Sequence, residues 1–400
     1  MNFLSNDYEV HYQGSNYLGQ ILPPHGIKFQ DGSELKFWLH GRGREDYCRD
    51  LILPRIQRLQ PDFFTCLLDS FMLYPWILDM NFSPAHSILY VPSDGTGGYP
   101  NGCELVLKHF NTVVAMSKFA QKQAKDYYNL DLLYIPHSID INAFFPLSDF
   151  EKNKLKQNLV VMTVSGTFVK GLLKDRFIVG IVGRNQGRKM HDRAIKSFSL
   201  FCKDKPDALL YVHLDIYDSA AVFDIRQLIK RLNIENRVVF SPIRYFENIE
   251  RNIMNEIYNL QDIYLSSSSG EGFGICTIEA MACKIPVVIT DFTTTQELIM
   301  ENGQCGISVP IVEVEKSSYD NMHNFLEIDK VFDKGTITGS WTVERGIMSI
   351  PKCVEALNIL YCDPGLRRDF GETGREKVIK FYSNLVVHPQ WKELLQKIKS

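Results

Sequence analysis

Short apolar runs alternate with segments of helical periodicity along the first part of the chain. The apolar runs predict strands at Tyr8–Tyr12, Phe63–Leu67, Ser87–Val91, Thr112–Ala115 and Leu132–Ile135. The periodic segments predict helices near Leu51–Leu59, Cys103–His109 and Lys118–Tyr128. Because strands that alternate with helices form parallel sheets covered on both faces, this part of the chain predicts an α/β domain.

The same alternation restarts after Glu151–Asn158, a polar and lysine-rich segment that predicts an interdomain connection or a helix beside it. The strands predicted beyond it are Arg176–Val182, Leu209–Leu214, Arg237–Phe240, Asp262–Ser266 and Pro286–Thr290. The helices predicted there are His191–Cys202, Val222–Leu232, Glu250–Leu260 and Phe273–Cys283. We expect a second doubly wound domain that faces the first across a cleft, with ligands beyond the carboxyl ends of the strands.

Two segments of the second half depart from this alternation. Lys316–Thr342 fits no period and predicts a loop insertion. The final helix, predicted at Pro389–Ile398, is amphipathic, with Trp391 on its apolar side, and should pack back on the body of the protein. The expected organisation is an N-terminal domain at 1–155, a C-terminal domain at 156–382, and a last segment at 383–400 that returns to the first domain.

The composition is that of an ordinary globular protein, with 45% hydrophobic and 23% charged residues. A net charge of −3 offers no electrostatic case for nucleic acid as a partner. The most apolar stretch, Phe63–Met80, is interrupted by Asp69, Pro75 and Asp79, which argues against a membrane span. None of the nine cysteines forms a C-x-x-C pair, as is typical of reduced thiols. We expect a soluble cytoplasmic protein, and leave peripheral contact with a membrane open.

Chemistry concentrates in Ser266–Glu279, which lies between a predicted strand and a predicted helix and has glycine at 270, 272 and 274. Such glycines let the backbone approach a ligand, and the helix N-terminus that follows can bind phosphate. Glu271 and Glu279 place two carboxylates at different heights along one ligand, which suits the hydroxyls of a sugar linked to a nucleotide. The plainer alternative is a glycine-rich turn with Glu271 solvated and Glu279 on the helix surface, since a bare G-x-G-x-G is weak evidence.

The full string Glu271-Gly-Phe-Gly-Ile-Cys-Thr-Ile-Glu279-Ala-Met-Ala, followed by Pro286-Val-Val, resembles the E-x7-E signature of family-4 glycosyltransferases of GT-B fold. The resemblance implies an α/β protein of two Rossmann-like, doubly wound domains that face each other across a cleft. It also implies that Glu271 contacts the donor sugar and Glu279 the nucleotide ribose. The backbone that faces the donor would be that of Gly272, Phe273, Gly274, Ile275 and Cys276.

The loop Gly183–Lys189 joins a predicted strand to a helix and carries three cations. Arg184 and Lys189 are similar in placement to the diphosphate-binding arginine and lysine of that family. Fixed cations at this place would stabilise the charge that a departing diphosphate acquires. Arg188 is expected to be the solvated member of the three.

Further segments resemble the same family. Val113–Phe119 and Tyr134–Asp140 look like the motifs that end its first domain, and Glu372–Tyr382 with the tryptophan helix looks like its closing segment. Arg237–Ile243 looks like the strand whose following loop holds the nucleotide base, which adds Ile243 and Arg244 to the donor-binding set.

Two first-domain residues are weighed on their position. Asp94 follows a predicted strand and should point into the cleft as a contact to the sugar or acceptor, although a turn-capping role is about equally expected. His137 is expected to shape the interdomain edge in a structural role.

Three features depart from the family pattern. The usual opening strand and Gly-Gly loop are not visible before Tyr8, unless Gly14-Ser15 stands in for the loop. Lys284 occupies a turn position where glycine is usual. Thr293-Thr-Thr-Gln-Glu297 replaces a common Gly-Gly loop, which should change the contacts to the donor sugar.

The prediction is a retaining transfer of a hexose from a UDP- or GDP-sugar, with Glu271, Arg184, Lys189 and Asp94 as the catalytic set. The resemblance implies no metal and no other cofactor, because helix N-termini and cations take the place of a metal at the diphosphate. The sequence leaves the base, the sugar and the acceptor open, and the acceptor could be a carbohydrate, a lipid-linked compound or a protein. Two alternatives remain: a sugar-nucleotide epimerase or phosphorylase, and a donor-binding scaffold without acceptor chemistry.

Overall fold

The computed structural model describes residues 3–14, 20–26, 34–98, 102–218, 220–242, 249–318 and 342–400. Its first part contains two sets of parallel strands, β1 with β2 and then β3-β4-β5-β6 in that order. The strands are β1 His11–Gln13, β2 Trp38–His40, β3 Phe63–Leu67, β4 His86–Val91, β5 Thr112–Ala115 and β6 Leu133–Tyr134. The helices are α1 Arg49–Leu59, α2 Ser70–Leu73, α3 Cys103–His109 and α4 Lys118–Tyr128. The predictions of β3, β5, α3 and α4 are confirmed to the residue.

The second part is built on one larger sheet with the strand order β14-β13-β12-β9-β10-β11-β7-β8. Its strands are β7 Val160–Thr163, β8 Phe168–Lys170, β9 Phe177–Val182, β10 Ala208–His213, β11 Val238–Phe240, β12 Ile263–Ser266, β13 Val287–Thr290 and β14 Gly306–Val309. The strands from β14 to β11 run parallel, whereas β7 and β8 add an antiparallel edge. The sequence does not signal this edge, because its two strands are short and half-exposed.

The strand order of this sheet reverses at β9. The chain proceeds from β9 to β10 and β11 on one side, and then returns to β12, which pairs with the other side of β9. Every residue of β9 and β10 is buried, which explains their continuous apolar runs. Because the loops after two adjacent strands diverge at such a reversal, a crevice opens beyond the carboxyl ends of β9 and β12.

Helices cover the large sheet and follow the predicted alternation. They are α5 Asp149–Asn158, α6 His191–Phe201, α7 Ile225–Arg231, α8 Arg251–Asn259 and α9 Ile275–Ala282. The lysine-rich segment therefore forms a helix, and Ser148 and Glu151 close its N-terminus as a reciprocal capping box.

The segment predicted as a loop insertion is bounded by a strand pair. Strand β15, Ile311–Ser318, runs antiparallel to β16, Thr342–Met348, with Glu315 opposite Arg345. The loop prediction is therefore wrong at both of its ends, and residues 319–341 lie outside the described part. The sequence did not predict β16 because an arginine, Arg345, lies among its buried positions, which include Val343 and Ile347.

The chain ends in three helices, α10 Ile350–Cys362, α11 Pro364–Lys377 and α12 Asn384–Lys399, with a π-helical turn at Val378–Tyr382 between the last two. The Trp391 ring on α12 contacts the Tyr90 ring of β4 edge-on, with centroids 5.0 Å apart. Near the C-terminus, Lys399 forms an ion pair with Asp62 at 3.0 Å. Helix α12 is thus packed against the strands of the first part.

Within the described residues, no helix combines the length and the apolar character that crossing a membrane requires.

Candidate functional site

The site begins where two loops are tied together at the reversal of the large sheet. The loop after β9 and the loop after β12 run side by side, and serine hydroxyls of the second donate to carbonyl oxygens of the first. Ser267 Oγ donates to Met190 O at 2.7 Å, and Ser269 Oγ donates to Arg188 O at 2.9 Å. The run of serines before Gly270 therefore fixes the relative position of the two loops.

Glu271 lies between two cations of the neighbouring loop. Its carboxylate pairs with Lys189 Nζ and accepts a hydrogen bond from Arg188 Nη1 at 3.1 Å. Burial by itself would raise the pKa of Glu271, but Lys189 and Arg188 outweigh it and lower that pKa to about 2. Glu271 is therefore an anion at every physiological pH, held in place by two cations.

These groups line a cavity of about 800 Å³. The large sheet and its loops contribute Arg188, Lys189, Glu271 and the segment from Gly272 to Thr277. The first part of the chain contributes the opposite wall, which includes Asp69, Pro92, Asp94 and His137. The cavity therefore lies in a cleft between the two parts, as the sequence predicts.

The donor-binding residues predicted on the glycine-rich loop meet at this cavity. Gly272, Phe273, Gly274, Ile275 and Cys276 all line it, and α9 begins at Ile275. Because the first amides of a helix have no intrahelical acceptors, this end of α9 presents N–H groups toward an anion. Ile243 and Arg244 lie outside the described residues.

Glu279 lies deeper, one turn into α9, and does not line the cavity. Its carboxylate accepts a hydrogen bond from the Tyr258 hydroxyl at 2.6 Å. Burial raises the pKa of Glu279 to about 7, against the opposing effects of Tyr258 and Arg251. The alternative of a plain solvated surface glutamate is therefore wrong.

The structure explains why the loop requires glycine, for a reason that the sequence did not reveal. A Cβ atom at Gly270 would lie 1.8 Å from the backbone oxygen of Asp94, and one at Gly272 would lie 2.6 Å from the Pro92 ring. Gly274 has φ of +99°, in the left-handed region that glycine favours. Two of the three glycines are thus required by close contact with the first part of the chain rather than by approach to a ligand.

The structure places Arg184 and Arg188 differently from the sequence prediction, which expected Arg184 at the diphosphate and Arg188 in solvent. Arg184 forms a two-pronged ion pair with Asp218, with Nε to Oδ2 at 2.7 Å and Nη2 to Oδ1 at 3.2 Å, and it does not line the cavity. Arg188, expected to be solvated, instead reaches Glu271 and lies 3.6 Å from Asp94. Burial opposes the charge of Arg188, but Glu271 and Asp94 outweigh it and raise the pKa of Arg188. The side chain that the sequence assigned to solvent is therefore a cation of the site.

Asp94 is held by a residue that the sequence did not suggest. Arg345 on β16 places Nη1 3.2 Å from Asp94 Oδ1 and Nη2 3.3 Å from Oδ2, and also donates to the Asp94 backbone oxygen. Glu344, the residue before Arg345 on β16, exchanges two backbone hydrogen bonds with Thr96. The N–H group of each residue donates to the carbonyl oxygen of the other at 3.2 Å. Asp94 thus lies at the cavity, as predicted, and ties the first part of the chain to the β15–β16 pair.

A second residue missed by the sequence reasoning is Asp69, which appeared there only as an interruption of an apolar stretch. It lies two residues beyond the end of β3 and lines the cavity together with Asp94. The available signal was its position just after a predicted strand, because the carboxyl ends of parallel strands border the cleft in such folds.

The remaining predicted positions have mainly structural contacts. His137 packs edge-on against Phe273 and Tyr90, with centroids 5.3 Å and 5.1 Å away, and burial lowers its pKa to about 4. Lys284 has φ of +59°, which explains why glycine suits that turn. Thr293 Oγ1 accepts a hydrogen bond from the Glu271 backbone N–H at 3.0 Å, so the segment that replaces the Gly-Gly loop helps to orient Glu271.

Comparison with known proteins agrees with this architecture. Residues 167–330 match the model of the family of glycosyl transferases group 1. The chain is 29% identical over 161 residues to mannosylfructose-phosphate synthase of Agrobacterium fabrum, a match that covers 39% of this chain and 32% of that protein. It is 24% identical over 198 residues to the lipopolysaccharide core biosynthesis mannosyltransferase LpsB of Rhizobium meliloti, covering 49% of this chain and 50% of that protein. The matches thus span a third to a half of these relatives.

The likeness in fold extends over nearly the whole chain. Sucrose-phosphate synthase from Thermosynechococcus elongatus superposes with a TM-score of 0.65 at 14% identity, over 95% of this chain and 86% of that one. This likeness shows the GT-B fold, so the predicted fold class is confirmed. Residues 167–330, the part of the chain that matches the model of glycosyl transferases group 1, include both of the paired loops.

The observed placement of Arg184 and Arg188 leads to a prediction about nucleotide binding. We expect Arg188→Met and Lys189→Met each to weaken the binding of UDP or GDP by about tenfold or more, because each removes a charged contact to the diphosphate. Arg184→Met should leave that affinity within about twofold and instead lower thermal stability, because it leaves buried Asp218 unpaired. Titration calorimetry measures the affinities, and an Arg184→Met variant as weak as Lys189→Met would restore the assignment by resemblance.

Proposed function

We propose that the protein transfers a hexosyl group from a UDP- or GDP-sugar to a hydroxyl group of a carbohydrate, lipid-linked or protein acceptor. The observation that carries this proposal is Glu271 held between Arg188 and Lys189 at the strand reversal between β9 and β12. A carboxylate that accepts hydrogen bonds from sugar hydroxyls then lies next to cations that attract a diphosphate. The N-terminus of α9 completes the anion-binding side.

The proposed reaction exchanges one glycosidic bond for another, and Arg188 and Lys189 assist the departure of the diphosphate. The bond between the anomeric carbon and the diphosphate oxygen breaks, and a bond to the acceptor oxygen forms on the same face of the sugar, with retention. Arg188 and Lys189 stabilise the negative charge that builds on the departing diphosphate. The acceptor proton passes to a phosphate oxygen, so nucleoside diphosphate and glycosylated acceptor are the products. Because these cations serve the diphosphate, the proposal includes no metal and no other cofactor.

Glu279 is proposed to bind the nucleotide ribose. The Tyr258 hydroxyl fixes one of its oxygens at 2.6 Å, which leaves the other oxygen to accept from a ribose hydroxyl. The raised pKa of Glu279 reflects its burial behind the lining of the cavity.

The relatives support the coarser part of the proposal. One is named a mannosylfructose-phosphate synthase and the other a mannosyltransferase, which agrees with a hexosyl donor. All nine cysteines are free thiols, which supports our placing the reaction in the reducing cytoplasm. Peripheral contact with a membrane remains compatible with a lipid-linked acceptor.

The experiment that tests the proposal follows nucleotide release from UDP-glucose and GDP-mannose, with and without a panel of hydroxyl-bearing acceptors. We expect acceptor-dependent release from one of the two donors, with a rate that EDTA leaves within about twofold, because cationic side chains serve the diphosphate. Binding of nucleotide without turnover on any acceptor would favour the scaffold alternative. Release or isomerisation without an acceptor would favour the epimerase or phosphorylase, and a rate abolished by EDTA would contradict the metal-free site.

A further inference from the structure

One carboxylate on the cavity wall contributed by the first part of the chain, that of Asp69, has no role in the proposed mechanism. Asp69 follows β3 and Asp94 lies three residues beyond the end of β4, the neighbouring parallel strand. Both line the cavity on the wall that the first part of the chain contributes, whereas Lys189 and Glu271 belong to the loops of the large sheet. Asp69 therefore faces the space that remains when a donor occupies the large-sheet side.

The ordinary structural role of an aspartate at this position is not realised. Asp69 is the N-cap residue of α2, where an aspartate side chain usually accepts a hydrogen bond from a backbone N–H of the first turn. Here the side chain makes no such bond. Within the described part of the chain, no other residue donates a hydrogen bond to the Asp69 carboxylate or forms an ion pair with it. Burial and Asp94 raise its pKa, against the opposing effects of Arg188, Arg345 and its own backbone N–H.

Two other carboxylates of the cavity wall, Glu271 and Asp94, differ from Asp69 in this respect. Glu271 is held by Arg188 and Lys189, and Asp94 by Arg345. Glu315 also lines the cavity, but its side chain is exposed to water, so Asp69 is the sheltered carboxylate whose oxygens remain open to a ligand among the described residues of the lining. A group that lines a cavity, is largely removed from bulk water and lacks a protein partner is stabilised when a ligand supplies a hydrogen-bond donor.

The charge around Asp69 restricts which ligand can do so. Asp94 lies beside it, and Glu315 on β15 adds a further carboxylate to the lining. The cations nearest to Asp69, Arg188 and Arg345, already pair with Glu271 and Asp94. A phosphate group at this wall would meet uncompensated negative charge, whereas a neutral hydroxyl would donate its hydrogen to Asp69.

We propose that Asp69 binds a hydroxyl group of the acceptor, and that the acceptor is an uncharged polyhydroxyl compound at the end that enters the cavity. This inference rests on the proposed function, since it assigns the acceptor side of the same site. Asp69 then orients the acceptor while the groups around Glu271 hold the donor.

The test uses the full chain with UDP-glucose and GDP-mannose and two matched sets of acceptors. One set is methyl glucoside, methyl mannoside, glycerol and myo-inositol, and the other is the monophosphates of glucose, mannose, glycerol and inositol. For the parent, we expect kcat/KM for the uncharged set to exceed that for the phosphorylated set by at least about tenfold. Acceptor binding is measured in parallel, without turnover, by saturation-transfer NMR on the protein loaded with UDP or GDP.

Asp69→Asn should lower kcat/KM for the uncharged acceptors by about ten- to hundredfold, because it removes a charged hydrogen-bond acceptor. The nucleotide affinity, measured by calorimetry, should stay within about twofold, which also shows that the variant is folded. Asp79→Asn, an exposed aspartate of the same part of the chain, is the matched control and should change neither quantity. If Asp69→Asn loses nucleotide binding, Asp69→Ser takes its place in the experiment. The preference of the parent between the two acceptor sets tests the inference independently of any variant.

Preference for the phosphorylated set would overturn the inference, as would an Asp69→Asn variant that binds and uses the uncharged set like the parent. A parent that binds nucleotide but neither binds nor uses the uncharged compounds would also overturn it, while leaving donor binding intact. A parent that binds neither UDP nor GDP would instead overturn the proposed function, and this inference with it.

Discussion

Replacing Glu271 by glutamine should lower the rate of glycosyl transfer by about 10²–10³-fold, because a preorganised charged contact to the donor is lost. Binding of UDP or GDP should be unchanged or tighter, because Lys189 and Arg188 lose their internal carboxylate and become free to pair with the diphosphate. Initial rates under saturating donor measure the first effect, and titration calorimetry the second. The transfer rate should therefore fall without any loss of nucleotide affinity.

The matched control for this variant is Glu372→Gln. Glu372 also forms an ion pair with a lysine, Lys284 at 2.6 Å, but its side chain is 57% exposed and lies outside the cavity lining. We expect its replacement to change neither the rate nor the affinity. A Glu271→Gln variant with the activity of the parent, or with nucleotide binding as weak as that of Lys189→Met, would contradict the assignment of Glu271 to the donor sugar.

Replacing Arg345 by methionine should destabilise the protein by about 3 kcal/mol, because it leaves the Asp94 carboxylate in a buried site with one cation fewer. For a domain of this size, that loss corresponds to a fall of roughly 6–12 °C in the midpoint of thermal unfolding. Arg345→Lys should fall between parent and methionine, since lysine cannot reproduce the fork that holds both Asp94 oxygens. Circular dichroism on heating measures all three proteins.

A second substitution separates the lost ion pair from a packing effect. In the double variant Arg345→Met with Asp94→Asn no buried charge is left unpaired, so it should recover about half of the lost stability or more. Arg368→Met, at an exposed position of α11, is the control and should leave the midpoint unchanged. A double variant less stable than Arg345→Met would show that the pair does not account for the loss.

The sequence pattern alone predicted the alternation of strands and helices, the parallel sheets and the position of the donor loops. These features follow from local rules, because buried parallel strands are continuous apolar runs and glycine-rich turns interrupt them at their carboxyl ends. The prediction that Glu271, Lys189 and the backbone from Gly272 to Cys276 face one ligand rested on the glycine-rich turn after a predicted strand and on the resemblance to the E-x7-E signature. In the structure all of them line one cavity.

The tertiary structure decided which side chains of each loop reach the cavity. Arg184 and Arg188 are both loop cations in the sequence, and only the position of buried Asp218 shows that Arg184 is held elsewhere. Gly270 and Gly272 have the composition of a ligand-binding loop, but their contacts are with Asp94 and Pro92, far away in the sequence. Arg345 carried no local signal, because its partner Asp94 lies in the other part of the chain, and Asp69 had only its position after a strand. Contacts across a cleft depend on how two sheets are placed relative to one another, and no local pattern of hydrophobic and polar residues contains that information.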